Sequence, residues 1–383
     1  MADPFDSIMG LSRREFIRRF SVGLPAAAFG GSVLGGCSAG LNGAQSSQGN
    51  FIGEAPKTSV CVVKGSDRRQ MISETLQPFK DEIANRIAGK KVLIKINCNR
   101  PDDQLIKTHP DAVRGILDVI SPMYDGKDPI MVGESTAFNV PTEENYKHFG
   151  YDKLEDEFRV KMVELNKDKV SPFWILDRDL YPSRIRLINS FVDPDVYVIS
   201  ATMIKTHDTV IATLSLKNVV MGAPYRNPKS SRDSDKGKMH GYGRPGTPNF
   251  AGSPKLLNFN MFKVAHAAKP DLCVLDGLVG AEGDGPNRCD PVNHGVALAG
   301  TDYVAVDRIG TELMGIPWEK MGYLQYCALG GLGQGDPDKI RIIGENPRDN
   351  VKVYRLHTRS DWQKEWDVPI DWSLIHSEPK KRQ

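Results

Sequence analysis

Lys205-Thr206-His207 and, a short way on, Lys217-Asn218 put two ammonium groups, an imidazole and an amide close together in the chain. On an extended backbone, side chains two apart share a face, so Lys205 and His207 can meet one ligand. Lysine supplies charge to a phosphate or carboxylate. Histidine can donate, accept, move a proton or bind a metal. The chemistry indicated is recognition and turnover of a small anion, with His207, Lys205 and Lys217 as candidate catalytic groups. Taken singly they have plainer readings: His207 as a satisfied structural histidine, Lys217-Asn218 as the entry to a helix. Their density, just before a basic segment, favours a shared site.

A second cluster is acidic. Asp276 follows the apolar run Leu272 to Leu275 and opens a Gly-rich sequence to Pro286 that carries Glu282 and Asp284. Glycine permits positive φ and close backbone approach, and successive amides can cradle a phosphate. Glu282 and Asp284 would repel a phosphate unless a cation stood between. Carboxylates in a turn suit magnesium or calcium; with a histidine from elsewhere they suit zinc, manganese or iron. Asp276, Glu282 and Asp284 are therefore candidate ligands of a divalent metal, with an acidic surface turn as the alternative. Lys95, Asn97, Asn218 and Glu134 complete the candidate ligand-binding set. The lysines and the acidic turn are expected to face each other across one cleft. Lys205→Ala is then expected to weaken ligand binding with little loss of stability, as for a lysine facing a solvated cleft.

These residues need elements to hold them. Strand-like runs are read at Ser59 to Lys64, Lys91 to Asn97, Ile130 to Val132, Val196 to Ser200, Leu272 to Leu275, Val296 to Ala299 and Val351 to Tyr354. Helical spacing joins Leu76, Phe79, Ile83 and Ile87, with Gly89 as the cap. Thr108 is read as the cap of a helix ending near Pro122, and further helices fill Phe259 to Ala268 and Tyr303 to Met314. Near-continuous apolar strands alternating with amphipathic helices predict an α/β fold, a mainly parallel sheet covered by helices on both faces. The apolar Val196 to Ile204 run would put Lys205 and His207 at a strand's carboxyl end, where open α/β sheets bind ligands. Ala223 to Lys255 breaks the pattern. It is polar, basic and rich in Gly, Pro and Ser, either a solvated insertion or a lid over an anionic ligand.

The first residues carry an address. Ser12-Arg13-Arg14-Glu15-Phe16 precedes an uncharged run, Phe20 to Leu34, which ends in Leu34-Gly35-Gly36-Cys37. The run is shorter than the roughly 20 apolar residues of a membrane span and is broken by Pro25. It reads as a twin-arginine signal peptide over 1–36, with Cys37 as the lipidated residue after cleavage. Residues 37–57 form a flexible tether, 58–360 the α/β body and 361–383 a C-terminal tail. The expected partners are the twin-arginine export machinery, the membrane through an N-terminal lipid, and a small anionic ligand. The expected location is periplasmic or otherwise extracytoplasmic.

A formal net charge of +2 argues against a general nucleic-acid binder. Cys61, Cys98, Cys273, Cys289 and Cys327 show no Cys-x-x-Cys spacing, which argues against a cysteine-ligated iron–sulfur cluster or a zinc knuckle. No Gly-x-Ser-x-Gly elbow marks a serine hydrolase.

Several short motifs recur in a familiar order. They are Lys95-Ile96-Asn97, Thr108-His109-Pro110, Gly133-Glu134-Ser135, Lys205-Thr206-His207, Leu216-Lys217-Asn218, Lys269-Pro270-Asp271, Asp276-Gly277, Glu282-Gly283-Asp284-Gly285-Pro286, and Asp302 with Asp307. The series resembles the domain-of-unknown-function-362 family over Val60 to Gly344. The resemblance implies a link to iron–sulfur proteins, since some relatives carry a ferredoxin-like module; the closely spaced cysteines of that module are missing here. It implies no established reaction. Two readings follow: an exported, membrane-tethered enzyme acting on a small anionic substrate with a metal ion, or a non-catalytic ligand-binding or redox-accessory protein.

Overall fold

The computed structural model describes residues 57–98, 105–136, 142–227, 229–230, 233–241, 254–286, 288–367 and 376–380. The expected signal sequence, Cys37, nearly all of the expected tether and much of the basic segment lie outside them. Eleven strands are described: β1 (Thr58–Lys64), β2 (Lys91–Lys95), β3 (Ile130–Glu134), β4 (Val160–Glu164), β5 (Val170–Leu176), β6 (Pro182–Ile188), β7 (Val196–His207), β8 (Ile211–Thr213), β9 (Leu272–Asp284), β10 (Arg288–Gly300) and β11 (Ile340–Gly344). The main sheet runs β11-β1-β10-β9-β7-β2-β3-β4, with β8 on β7, while β5 and β6 form a separate hairpin. The neighbours β9, β7, β2, β3 and β4 are all parallel, and β10 is antiparallel to both β9 and β1.

The expected α/β class is what the chain adopts. All twelve residues of β7 are buried, as a central strand covered on both faces requires. Leu93, Val198 and Leu275 pack on one face with the helices Pro254–Ala265, Tyr303–Leu313 and Gly322–Leu329. Val92, Ile94, Ile199 and Val274 pack on the other with Arg68–Leu76, Lys80–Ile87 and Pro110–Ile120. The chain leaves β2 outward to β3 and β4, then returns to β7 on β2's other side. The carboxyl ends of β2 and β7 therefore flank a topological switch point, the place where such sheets open a crevice. Among the described residues no helix is long and apolar enough to cross a membrane.

Four local readings are corrected. The helix after Thr108 is capped by His109, whose side chain accepts from the Asp111 amide; Thr108 is buried and bonds across strands instead. The Gly-rich acidic stretch is mostly strand, because β9 continues to Asp284 against β10, with an irregularity opposite Asn293 to Val296. Glycines there accommodate strand packing: a Cβ on Gly280 would meet the Tyr354 hydroxyl at 2.0 Å. Val351 to Tyr354 is not a strand, although Lys352 and Tyr354 donate amides to Leu313 and Met314. The start of the assigned tail belongs to the body, with Trp366 buried edge-on against Tyr326.

Candidate functional site

Lys95 ends β2 facing the crevice and is about as buried as any leucine of the core, at 1% exposure. Its Nζ lies 2.6 Å from Glu134 Oε1 and also donates to the Ile96 carbonyl and Asn218 Oδ1. Glu134, at the end of β3, accepts two backbone amides besides: Cys98 N at 2.7 Å and Ser135 N at 2.7 Å. One carboxylate thus clasps the chain as it leaves two neighbouring strands. Room for the Lys95 stem is left by Gly222, where a Cβ would meet Lys95 Cε at 2.7 Å.

Lys205 reaches the same place from β7. Its Nζ donates to Asn97 Oδ1 and to the Ile106 carbonyl, both at 2.7 Å. Asn218 closes the ring, its amide donating to the Lys95 carbonyl at 3.0 Å and the Ser200 hydroxyl at 3.1 Å. With the Asn97 amide reaching Asn218 Oδ1 at 3.5 Å, Lys95, Asn97, Glu134, Lys205 and Asn218 are joined in one network at the switch point, buried except for the half-buried Asn97. Lys205 is 2% exposed, so the expectation that its loss would cost little stability is corrected. Truncation would strand Asn97 and a carbonyl, at about 1–3 kcal/mol.

Lys217 differs from these lysines. It sits on the helix Ser215–Val220, whose first two amides are taken by the buried Asp307 carboxylate at 2.8 and 2.9 Å. Lys217 is 8% exposed, and its ammonium makes no hydrogen bond or ion pair with a described residue. Burial, opposed by Asp208 and reinforced by Lys205 and Lys95, brings its pKa down to about 7. Lys236, from the basic segment, is also brought to about 7 by burial, but it donates to the Met221 and Gly222 carbonyls and to Ser135 Oγ.

His207 is buried at the end of β7. Burial, and then the charge of Lys217, hold its pKa well below the ordinary histidine value. Its Nδ1 is 3.1 Å from both the Thr209 amide and Asp208 Oδ1. An amide nitrogen can only donate, so Nδ1 is the bare nitrogen and the Asp208 contact is not an ion pair. The remaining ring proton is then on Nε2. His207 enters the site as a neutral hydrogen-bond donor, and the half-buried His240 is held neutral as well, its pKa lowered by desolvation to about 4.

The acidic set does not assemble. Asp276 is tied to Arg68 Nε at 2.7 Å, and pairs in β9 with Met203 of β7. Its side chain follows Val274 to the sheet face opposite Lys95. Glu282 accepts the Arg355 amide at 2.8 Å, and Asp284 accepts that of Thr358 at 2.8 Å. The backbone of this stretch does lie beside the site, since Thr206 Oγ1 donates to the Gly283 carbonyl at 2.9 Å. Its carboxylates turn toward the 355–358 segment. Among the described residues no three of His, Cys, Asp and Glu gather in a way that could hold a metal ion. The five described cysteines are free and sit apart: Cys98 beside Glu134, Cys273 on β9, Cys289 on β10, Cys61 on β1 and Cys327 on a helix.

Two contributors escaped the sequence reading. Thr213 on β8 is the cross-strand partner of Lys205, and its buried hydroxyl has no hydrogen-bond partner among the described residues. Gln363 donates to the His207 carbonyl, while its buried Oε1 has no such partner. A cleft of about 630 Å³ lies at the opposite, amino-terminal end of the sheet, lined by Lys57, Arg86 and Asp271 among others. Arg86 there is paired with Glu82 and Asp271, and Asp302 caps a helix.

The profile of the domain of unknown function DUF362 matches residues 92–312, a span that holds every member of the network at the switch point. A protein described as thylakoid-associated, from Synechocystis sp., is 28% identical over 232 residues, covering 59% of this chain and 63% of that relative. The chain thus spans somewhat under two thirds of the relative it matches. With the match to more than half of its length, this chain belongs to the DUF362 domain family.

Proposed function

We propose that the protein is an enzyme acting on a small anionic substrate in the crevice at the carboxyl ends of β2 and β7. The observation that carries this reading is Lys217, a lysine 8% exposed whose ammonium has no hydrogen bond or ion pair among the described residues, beside two lysines that have theirs. An unpaired buried cation is costly, and a fold keeps one where a ligand completes it. At the carboxyl end of β7, Thr213 opposite Lys205 and Gln363 on the His207 carbonyl carry a hydroxyl and an amide oxygen with no partner among the described residues. Because Lys217 titrates near neutrality and His207 stays neutral, Lys217 is the group that exchanges a proton and His207 the one that donates a hydrogen bond. With Asp276, Glu282 and Asp284 turned elsewhere, the substrate's charge is met by the lysines.

Inorganic phosphate and malonate, titrated into dialysed protein, test the site. Saturating anion should raise the melting temperature, a hundredfold excess over Kd being worth about 2.7 kcal/mol. Lys217→Met should lose the response. Equal responses in both proteins would remove Lys217 from the site. Native mass spectrometry of the freshly purified chain separates turnover from storage: a ligand recovered unchanged after incubation marks a binding protein.

The enzyme works outside the cytoplasm, exported through the twin-arginine route and held at the membrane by lipid on Cys37. Supporting this are Arg13-Arg14, the uncharged run behind them and the Leu34-Gly35-Gly36-Cys37 box. Changing Arg13 and Arg14 together to lysine should leave the precursor in the cytoplasm, and Cys37→Ala should abolish labelling by a fatty-acid probe. Normal export of the double variant, read by fractionation, would rule the route out.

A further inference from the structure

Four lysines are buried around the switch point, and three have their protons spoken for. Lys95 is held by Glu134, Asn218 and the Ile96 carbonyl, Lys205 by Asn97 and the Ile106 carbonyl, and Lys236 by two carbonyls and a hydroxyl. Lys217 has no hydrogen-bond acceptor among the described residues, lies within the field of Lys95 and Lys205, and is mounted on a helix whose N-terminus Asp307 fixes.

A residue kept only to attract anions would be better served as a permanent cation, which is arginine's property. A lysine desolvated beside other cations is instead the arrangement that exposes an amine lone pair. The groups whose charge bears on Lys217 or is borne upon by it are Lys95 from β2, Lys205 and His207 from β7, Asp208 just after it, and His240. Only Asp208 opposes loss of the proton. His207 and His240 are neutral donors or acceptors near it.

We propose that Lys217 is a nucleophile that forms an imine with the carbonyl carbon of a small 2-oxo acid. This rests on the anion-site reading, because the acid's carboxylate needs the cationic surroundings that Lys95 and Lys205 create. The neutral amine of Lys217 adds to the carbonyl carbon, forming the C–N bond as the C–O π pair moves to oxygen. That oxygen takes up a proton, and the resulting carbinolamine loses water to leave the C=N bond. One amine and one carbonyl give one imine and one water, with no oxidant or reductant. The Nε2–H of His207 is the available donor to the departing oxygen. The resulting iminium draws electrons from the neighbouring carbon, which suits cleavage of a bond to hydrogen or carboxylate there.

Reductive trapping tests the step. The dialysed chain is incubated with pyruvate and sodium cyanoborohydride at about pH 6 and about pH 8, on either side of the Lys217 titration, and lysine peptides are mapped by mass. The expected result is one reduced pyruvate on Lys217, at least tenfold above any surface lysine, forming faster at the higher pH. Lys217→Arg should give no adduct but keep a melting-temperature rise with pyruvate. Lactate, which has the carboxylate without the carbonyl, should stabilise the wild type and leave no adduct. Stabilisation by pyruvate and lactate with Lys217 labelled no more than the surface would overturn the imine and leave the anion site standing. No stabilisation and no adduct would overturn both.

Discussion

Lys217→Met should make the ligand-free protein more stable at about pH 6, by roughly 1–4 kcal/mol. Most buried lysines with partners behave the opposite way. Lys217 is 8% exposed and has no acceptor among the described residues, so folding at that pH takes a charged group largely out of water with no described hydrogen bond in return. Methionine fills the same space without the charge. The pH dependence follows from linkage. The folded pKa is near 7, against 10.5 as the ordinary value. Below the folded value both states are protonated and the penalty is carried in full. Between the two values only the unfolded chain holds the proton, so wild-type stability climbs as pH rises. The advantage of the methionine variant should shrink across that window and nearly vanish at its upper end. Urea unfolding of both proteins at about pH 6 and about pH 9 reads the difference. A variant less stable than wild type at the lower pH would mean that Lys217 has a partner in the folded chain.

Lys217 and Asn218 were legible from their nearness in the chain to Lys205, and Lys205 because a mostly apolar run, Val196 to Ile204, ends in it, and such runs in parallel sheets end at the ligand-binding edge. Lys95 and Asn97 were legible for the same reason at the end of β2. The strand order that brings the two ends side by side was not, since parallel neighbours are set by helix packing far along the chain. The pairing of Lys95 with Glu134 depends on that order and could not be read from spacing.

The acidic stretch misled for a related reason. Glycines and carboxylates after Leu275 carry local turn chemistry, yet the segment stays extended because β10 supplies a partner along its whole length. Extension sends Asp276 to the opposite face and lets Glu282 and Asp284 meet the amides of a segment more than seventy positions away. Gln363 was missed because its contact with the His207 carbonyl crosses a separation of 156 residues. The lid expectation rests on the segment from Ala223 to Lys255. Its described parts are anchored to the body, with Arg226 and Lys236 buried and Arg186 paired to Asp233 and Asp235, while Lys229 and Lys238 are exposed. Residues 242–253 lie outside the described residues.

Glu134→Ala should be the most damaging single change at the crevice, costing about 3–5 kcal/mol. Glu134 is 2% exposed and answers three donors: the Lys95 ammonium at 2.6 Å and the amides of Cys98 and Ser135, both at 2.7 Å. Its removal leaves Lys95 with only the Ile96 carbonyl and Asn218 Oδ1, and leaves two buried amides unanswered. Glu134→Gln retains one carbonyl oxygen and should cost less than half as much. Adding Lys95→Met to Glu134→Gln should recover part of that loss, because no uncompensated charge remains, and a double-mutant cycle from urea unfolding reads the coupling. The same clasp fixes where the chain turns after β2 and β3, and thus where Asn97 meets Lys205. Anion binding should therefore weaken in Glu134→Gln even where folding is intact. A Glu134→Ala variant within half a kcal/mol of wild type would show that the Lys95–Glu134 pair does not hold the crevice together.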